Sequence, residues 1–369
     1  MKRIVLVVLG TVLASVAGLL LFAWSGIYNV AASTGHFRIT AMLLELGMRS
    51  SVRTHALGLE APRLDDPALF ERGLGHFQSG CAPCHGAPGV PASAVAQQMV
   101  PHPPDLSHAV TTWTPERLFW IVKHGLKYTG MPAWPAVSRD DEVWAMVAFL
   151  KRLPAIGARD YRRMALLEVP GDDAARTINV AGIIGLDPIA CARCHGVEGQ
   201  GGAAGGIPRL AGQRADYLEM TLQDYRDGRR PSGIMHPPAT ALSDADGRKL
   251  AAYFAAMKTD SPGGRQARPD ADLRLLQLGG AIADAGVLAT SLAACEACHG
   301  PQGRAGEKYP GYPAIAGQHR DYLEQQLKLF RAGVRGGKFG AIMTAAVRTI
   351  TDEQIAAVAL YYARLPASE

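Results

Sequence analysis

Hydrophobic and polar positions divide this chain into one uniformly apolar segment and a series of shorter segments whose apolar residues recur every three or four positions. Lys2 and Arg3 precede a charge-free apolar run from Ile4 to Trp24, and a bilayer-spanning helix takes about 20 such residues. The spacing predicts a membrane anchor over 1–30, with the basic start on the cytoplasmic side and everything after Trp24 on the other. Cleavage after Ala32 is the alternative, because Val30 and Ala32 are small enough for a signal-peptidase site. Over 31–64, Ala41, Leu44, Met48 and Val52 fall at helical spacing with Arg49, Arg53 and His55 between them. That pattern predicts an amphipathic helix lying on the membrane surface, covering a partner subunit or packing on the unit that follows.

Three further units read as helical. In 65–154, Gly73, Phe77 and Cys81 are four apart and share one helix face, where glycine permits close approach of another helix. A closing helix is expected from Ser138, with Asp141 three positions on, presenting Val143, Trp144, Val147, Phe149 and Leu150 inward until Pro154. Residues 155–179 lack sustained periodicity and read as a linker, as does the Pro-Gly-Arg segment 258–269 between units 180–257 and 270–369. These last two units are copies: Pro208-Arg-Leu-Ala-Gly-Gln-Arg-Ala-Asp-Tyr-Leu-Glu219 matches Pro313-Ala-Ile-Ala-Gly-Gln-His-Arg-Asp-Tyr-Leu-Glu324. Their closing helices agree too, with Ser243 as cap in one, Thr351 and Gln354 as a capping box in the other, and Tyr253 and Tyr361 in the place of Phe149.

The chain has 369 residues and six cysteines. Cys-x-x-Cys-His occurs three times, at Cys81-Cys84-His85, Cys191-Cys194-His195 and Cys295-Cys298-His299, and these motifs use every cysteine. In such a motif both thiols add to haem vinyl groups and the adjacent imidazole binds iron, so the spacing points to three covalent haem c groups. A Cys-x-x-Cys pair is often half of a tetrahedral zinc site, but that site needs a second pair of ligands, and no cysteine is spare. A thioredoxin-like pair is conceivable once, not three times. Each pair is also too close in sequence to close a useful disulfide loop. A large apolar macrocycle would supply buried surface that units this small lack, so the chain without haem is expected to fold poorly. The formal charge of +5 comes from scattered basic residues and does not argue for nucleic acid. Six haem propionates would bring the reduced form to about −1, leaving partner docking to local patches.

Haem potential depends on the sixth ligand, and methionine opposite histidine favours the ferrous state. Met131, in Thr129-Gly-Met-Pro-Ala-Trp134, is the candidate in the first unit, with Met99 and Met146 as alternatives. Met235 is the candidate in the second, with its neighbour His236 as a rival, and Met343 is the only methionine of the third. His102, His108, Trp113, Trp120 and Trp134 read as core and haem-wall residues, and Arg209 and Gln213 either meet propionates or serve as loop residues. No Ser/His/Asp arrangement or phosphate loop stands out.

With these motifs each unit resembles a class I cytochrome c: an opening helix, Cys-x-x-Cys-His, a methionine loop and an aromatic closing helix. The second and third are similar to the halves of dihaem cytochrome c4 through Pro-x-Leu/Ile-Ala-Gly-Gln and Tyr-Leu. The first, with Gly-Met-Pro-Ala-Trp, resembles single-haem domains attached to bacterial dehydrogenases and oxidases. The resemblance implies an all-α fold, three tandem class I cytochrome c domains after an N-terminal transmembrane helix, with the haems on the periplasmic side of a bacterial inner membrane. It implies single-electron transfer in a respiratory chain, as the cytochrome subunit of a dehydrogenase or a conduit to a terminal oxidase, with a dehydrogenase, a bc1-type complex or a terminal oxidase as partner. A haem peroxidase with one five-coordinate iron is the alternative.

Overall fold

The computed structural model describes residues 1–165, 188–259, 269–305 and 311–367. Much of the first expected linker, the Val180–Asp187 segment and most of the second linker lie outside these residues. Among those described there is no strand, only isolated bridges between Ala87 and Val90 and between Val287 and Leu292.

Helix α1, Lys2–Trp24, is exposed along its length and has the length and mean hydropathy of a membrane span. Tyr28 joins it to α2, Arg38–His55: its ring packs on Phe22 and Phe37, and its hydroxyl meets His36 Nδ1 at 2.6 Å. The apolar stripe of α2 divides in two. Val52 is fully buried and His55 lies against Trp120, whereas Ile39, Met42, Leu43 and Leu46 are exposed.

In the first unit, α3 (Pro67–Gly80) crosses α5 (Asp140–Arg152), and α4 (Pro115–His124) packs alongside. Asp66 caps α3 through the Ala68 N–H, and Pro67 occupies the first turn, where its missing N–H costs nothing. The crossing depends on Gly73, since a Cβ there would stand 2.3 Å from the Ala145 carbonyl oxygen and 2.6 Å from Phe149 Cβ. Phe77, Val147 and Phe149 are buried around it. Ser138 does not cap α5. Arg139 occupies that position, because its guanidinium is drawn inward onto Asp141 and Glu142. The expected linker also begins as structure: α6, Ala158–Met164, returns to α3 with Tyr161 fully buried and its hydroxyl on Gln78.

The second unit contains α7 (Pro188–His195), α8 (Ala215–Arg226) and α9 (Asp244–Ala255), and the third α10 (Pro269–Ala285), α11 (Arg320–Arg331) and α12 (Asp352–Arg364). Ser243 caps α9, and Thr351 with Gln354 forms a complete capping box on α12. Helices α10 and α12 repeat the first unit's crossing: a Cβ on Gly279 would meet the Ala357 carbonyl at 2.2 Å and Tyr361 Cβ at 2.8 Å. Tyr361 thus takes the part of Phe149. Among the described residues the second unit's own core is the smallest of the three, with Leu218, Leu250, Ala251 and Phe254 buried, so it stands to gain from a large apolar group.

The two copies join about a local pseudo-twofold axis. Gln213 donates to the Ala314 carbonyl at 2.8 Å and accepts from its N–H at 2.9 Å, while Gln318 donates to the Arg209 carbonyl at 3.0 Å and accepts from its N–H at 2.9 Å. The first unit docks on the second through Glu71, whose carboxylate accepts from Ala204 and Gly206 N–H groups, and through Gly75, which approaches Cys194.

Candidate functional site

Each Cys-x-x-Cys-His is wound into one helical turn. The N–H of His85 bonds the Cys81 carbonyl at 3.0 Å and that of His299 bonds the Cys295 carbonyl at 2.9 Å. One turn brings residues four apart to the same side. Glycine follows each histidine at positive φ, +69° at Gly86, +76° at Gly196 and +74° at Gly300, a conformation that ends the turn and strains other residues.

All three imidazoles are oriented the same way. Nδ1 of His85 lies 2.9 Å from the Pro104 carbonyl oxygen, and Nδ1 of His195 and of His299 lie 3.0 Å from those of Pro208 and Pro313. A carbonyl only accepts, so Nδ1 carries the proton and Nε2 keeps its lone pair for a metal. Burial lowers the pKa of His195 and His299, which further favours the neutral ligand form. No disulfide joins the six cysteines, and burial pushes the Cys81 thiol up to about 12 and those of Cys194 and Cys295 up to about 11. Such thiols are protonated at neutral pH, unlike the thiolates of redox-active pairs.

In the third unit Cys295, Cys298, His299 and Met343 line a single open cavity, with about 1250 Å³ of empty space including its mouth. Leu323, Leu327, Phe330 and Ile350 are among its apolar walls, and Arg230 and Arg335 make part of it cationic. Arg335 donates to the Tyr217 hydroxyl at 3.0 Å and Arg230 to that of Tyr322 at 3.1 Å. Burial raises the pKa of Tyr217, but the two guanidiniums outweigh it and hold the phenol at about 8.

Met131 and Met235 are half-buried on loops held by hydrogen bonds. Leu126 N–H bonds the Met131 carbonyl at 3.2 Å, and Trp134 N–H bonds that of Lys123 at 3.0 Å. The Met235 N–H donates to Ser232 Oγ at 3.0 Å. Its rival His236 has Nδ1 2.7 Å from the Tyr225 carbonyl. Of the alternatives in the first unit, Met146 belongs to the core, whereas Met99 packs against Gly130.

Several residues fall elsewhere than expected. His102 and His108 are exposed and do not belong to the core, flanking the short helical turn that Asp105 starts. Gln213 bonds the opposite domain's backbone. Sequence reasoning missed the buried Glu142 and the cationic pair Arg230 and Arg335; a signal for the inter-domain glutamines was present in the identical Ala-Gly-Gln of both copies.

Residues 68–150 match the family of cytochrome c oxidase, cbb3-type, subunit III, and residues 189–258 and 283–365 each match the cytochrome c family. A thiosulfate dehydrogenase electron acceptor from Stutzerimonas stutzeri is 36% identical over 183 residues, 49% of this chain and 81% of that protein. The chain belongs to the class I c-type cytochromes. Cytochrome c4 of Thiocapsa roseopersicina is 35% identical to it over 171 residues, 46% of this chain and 84% of that protein. The crystal structure of reduced cytochrome c4 from Pseudomonas stutzeri is 32% identical, covers 53% of this chain and 99% of that one, and superposes with a TM-score of 0.43.

The cytochrome is therefore an all-helical electron-transfer protein of the kind that binds haem c covalently. Its residues fit that group: thiols three apart that form no disulfide, an imidazole with Nε2 available, and in the third unit an apolar cavity bearing a methionine sulfur and two guanidiniums suited to carboxylates.

Proposed function

We propose that this cytochrome carries three haem c groups and passes single electrons between a redox enzyme and the respiratory chain from the periplasmic face of the inner membrane. The observation that carries this reading is the repeated geometry of His85, His195 and His299, each one helical turn after a cysteine and each fixed by a proline carbonyl. The domains run over 65–154, 180–257 and 270–369, with 1–30 as an uncleaved anchor and 31–64 beside the membrane. Cys81 and Cys84, Cys191 and Cys194, and Cys295 and Cys298 form the thioether links. His85, His195 and His299 supply one axial nitrogen each, and Met131, Met235 and Met343 the opposite sulfur.

When bound, haem supplies one-electron iron chemistry, and a sulfur opposite an imidazole raises its potential. The protein's part is to hold both axial donors in place, leaving no open position for substrate, and to surround them with apolar walls that exclude water. Relatives named as electron acceptors of thiosulfate dehydrogenase support a dehydrogenase as donor. A bc1-type complex and a terminal oxidase are the other candidate partners. The length and apolar character of α1 support the anchor.

The test is the haem content of the protein purified from its native membrane, by haemochrome absorbance against protein and by the mass of haem-bearing peptides. Three haems per chain, one on each motif, are expected; a motif recovered with free cysteines removes that domain from the proposal.

A further inference from the structure

Glu142 is a buried carboxylate at the junction of the first two haem domains. It lies in the first turn of α5 and is 3% exposed. Its carboxylate accepts from Trp134 Nε1 at 3.1 Å and pairs with Arg139 Nη1 at 3.0 Å, both in the first domain. From the second it accepts the Ser232 hydroxyl and the Gly233 N–H, each at 2.6 Å. Oε1 thus takes Ser232 and Arg139, and Oε2 takes Trp134 and Gly233. Three hydrogen-bond donors and one guanidinium converge on the two oxygens of the carboxylate.

What these donors belong to gives the cluster its meaning. Trp134 is three residues beyond Met131, on the same loop. Ser232 and Gly233 begin the loop of Met235, and Ser232 Oγ also receives the Met235 N–H. Arg139 donates to the Pro231 carbonyl at 2.7 Å and is held from the other side by both oxygens of Asp141. Contact is tight, since a Cβ on Gly233 would fall 2.2 Å from Trp134 Nε1, and Ile234 packs on the first domain's core. One side chain therefore fastens two methionine loops that are about a hundred residues apart in sequence.

We propose that Glu142 is a positioning residue shared by the first two haem domains: it fixes the Met131 loop through Trp134 and the Met235 loop through Ser232 and Gly233, so that the two haems respond as a coupled pair. The proposal rests on Met131 and Met235 being axial ligands. Glutamine at 142 would turn an amide N–H toward donors on one oxygen's side, leaving those donors without an acceptor.

The experiment follows the hyperfine-shifted haem-methyl resonances and the midpoint potentials of the oxidised full-length holoprotein in mild detergent. Ser232→Ala perturbs the carboxylate from the second domain only, and Trp134→Phe from the first only. Each is expected to move the resonances of two haems, with a change of up to tenfold in each one-electron equilibrium, about 59 mV. Glu142→Gln moves the same two sets, and Ser232→Ala added to it has less effect than it has alone. A purely structural role would lower stability while each substitution disturbed only its own domain's haem, and that result overturns the proposal even if Glu142→Gln does not fold. Met131→Ala and Met235→Ala identify the two sets. If these leave the resonances in place the ligand assignment falls, while the number of haems moved by Ser232→Ala and Trp134→Phe still decides the coupling.

Discussion

Replacing Gln318 by alanine isolates the contact between the duplicated domains. Gln318 is buried, and its amide oxygen accepts from the N–H groups of Arg209 and His319, both at 2.9 Å, while its nitrogen donates to the Arg209 carbonyl at 3.0 Å. Truncation leaves two N–H groups and one carbonyl without these partners in a site that Gln318 had filled. At a net worth of about 1 kcal/mol per hydrogen bond, the loss is about 3 kcal/mol. Every 1.4 kcal/mol is tenfold in an equilibrium, so local opening becomes on the order of a hundredfold more frequent. Hydrogen exchange read by mass spectrometry on peptides spanning 205–212 measures this directly. Gln213→Ala is the reciprocal control and is expected to accelerate exchange around Ala314 instead, since that backbone is its partner across the interface. The reasoning is refuted if each substitution speeds exchange only within its own domain.

Met131→Ala, Met235→Ala and Met343→Ala are each expected to remove about a third of the weak sulfur-to-iron absorbance of the oxidised protein; an unchanged band shows that the residue is not the ligand. Burial pushes the pKa of His76 down to about 4, so the folded chain keeps it neutral while the unfolded chain protonates it below about 6.5. Its contribution is present above that value and is lost as pH falls from about 6.5 to 4, by about 3 kcal/mol at 1.36 kcal/mol per pH unit. Denaturant curves of His76→Gln should be flatter over this window, and curves parallel to the parent's would refute the assignment. Gly206→Ala brings a Cβ to 2.4 Å from the Ala68 carbonyl oxygen and is expected to weaken the docking of α3 by about 1–3 kcal/mol. Faster proteolysis of the 201–206 loop would report it, and unchanged resistance would count against that contact.

Helix ends and the Cys-x-x-Cys-His motifs were legible because their chemistry is local. Asp66 before Pro67, and Thr351 with Gln354, lie within three positions of the groups they bond, and Cys-x-x-Cys-His is a single helical turn. Gly73 could be read as a crossing point from the four-residue spacing of a helix face, whereas Gly279 takes the same part in the third unit without having been read from the sequence. Ser138 was misread as a cap because the side chain that displaces it, Arg139, is held by a second domain's carbonyl as well as by its own neighbours. Helix α6 was read as linker because its one fully buried anchor, Tyr161, carries no period in so short a segment.

The sequence by itself determined three Cys-x-x-Cys-His motifs, their helical setting, the duplication of the last two units and an apolar segment of membrane length. Each follows from spacing along the chain, where periodicity and covalent chemistry act over a few residues. Only the tertiary structure decided how the units are joined. Glu142 meets Ser232 across 90 positions and Gln213 meets Ala314 across 101, and no local pattern states which distant donor will satisfy a buried acceptor. Desolvation makes an unmatched polar group costly at such a junction, so these pairings hold the domains in register once the chain has folded.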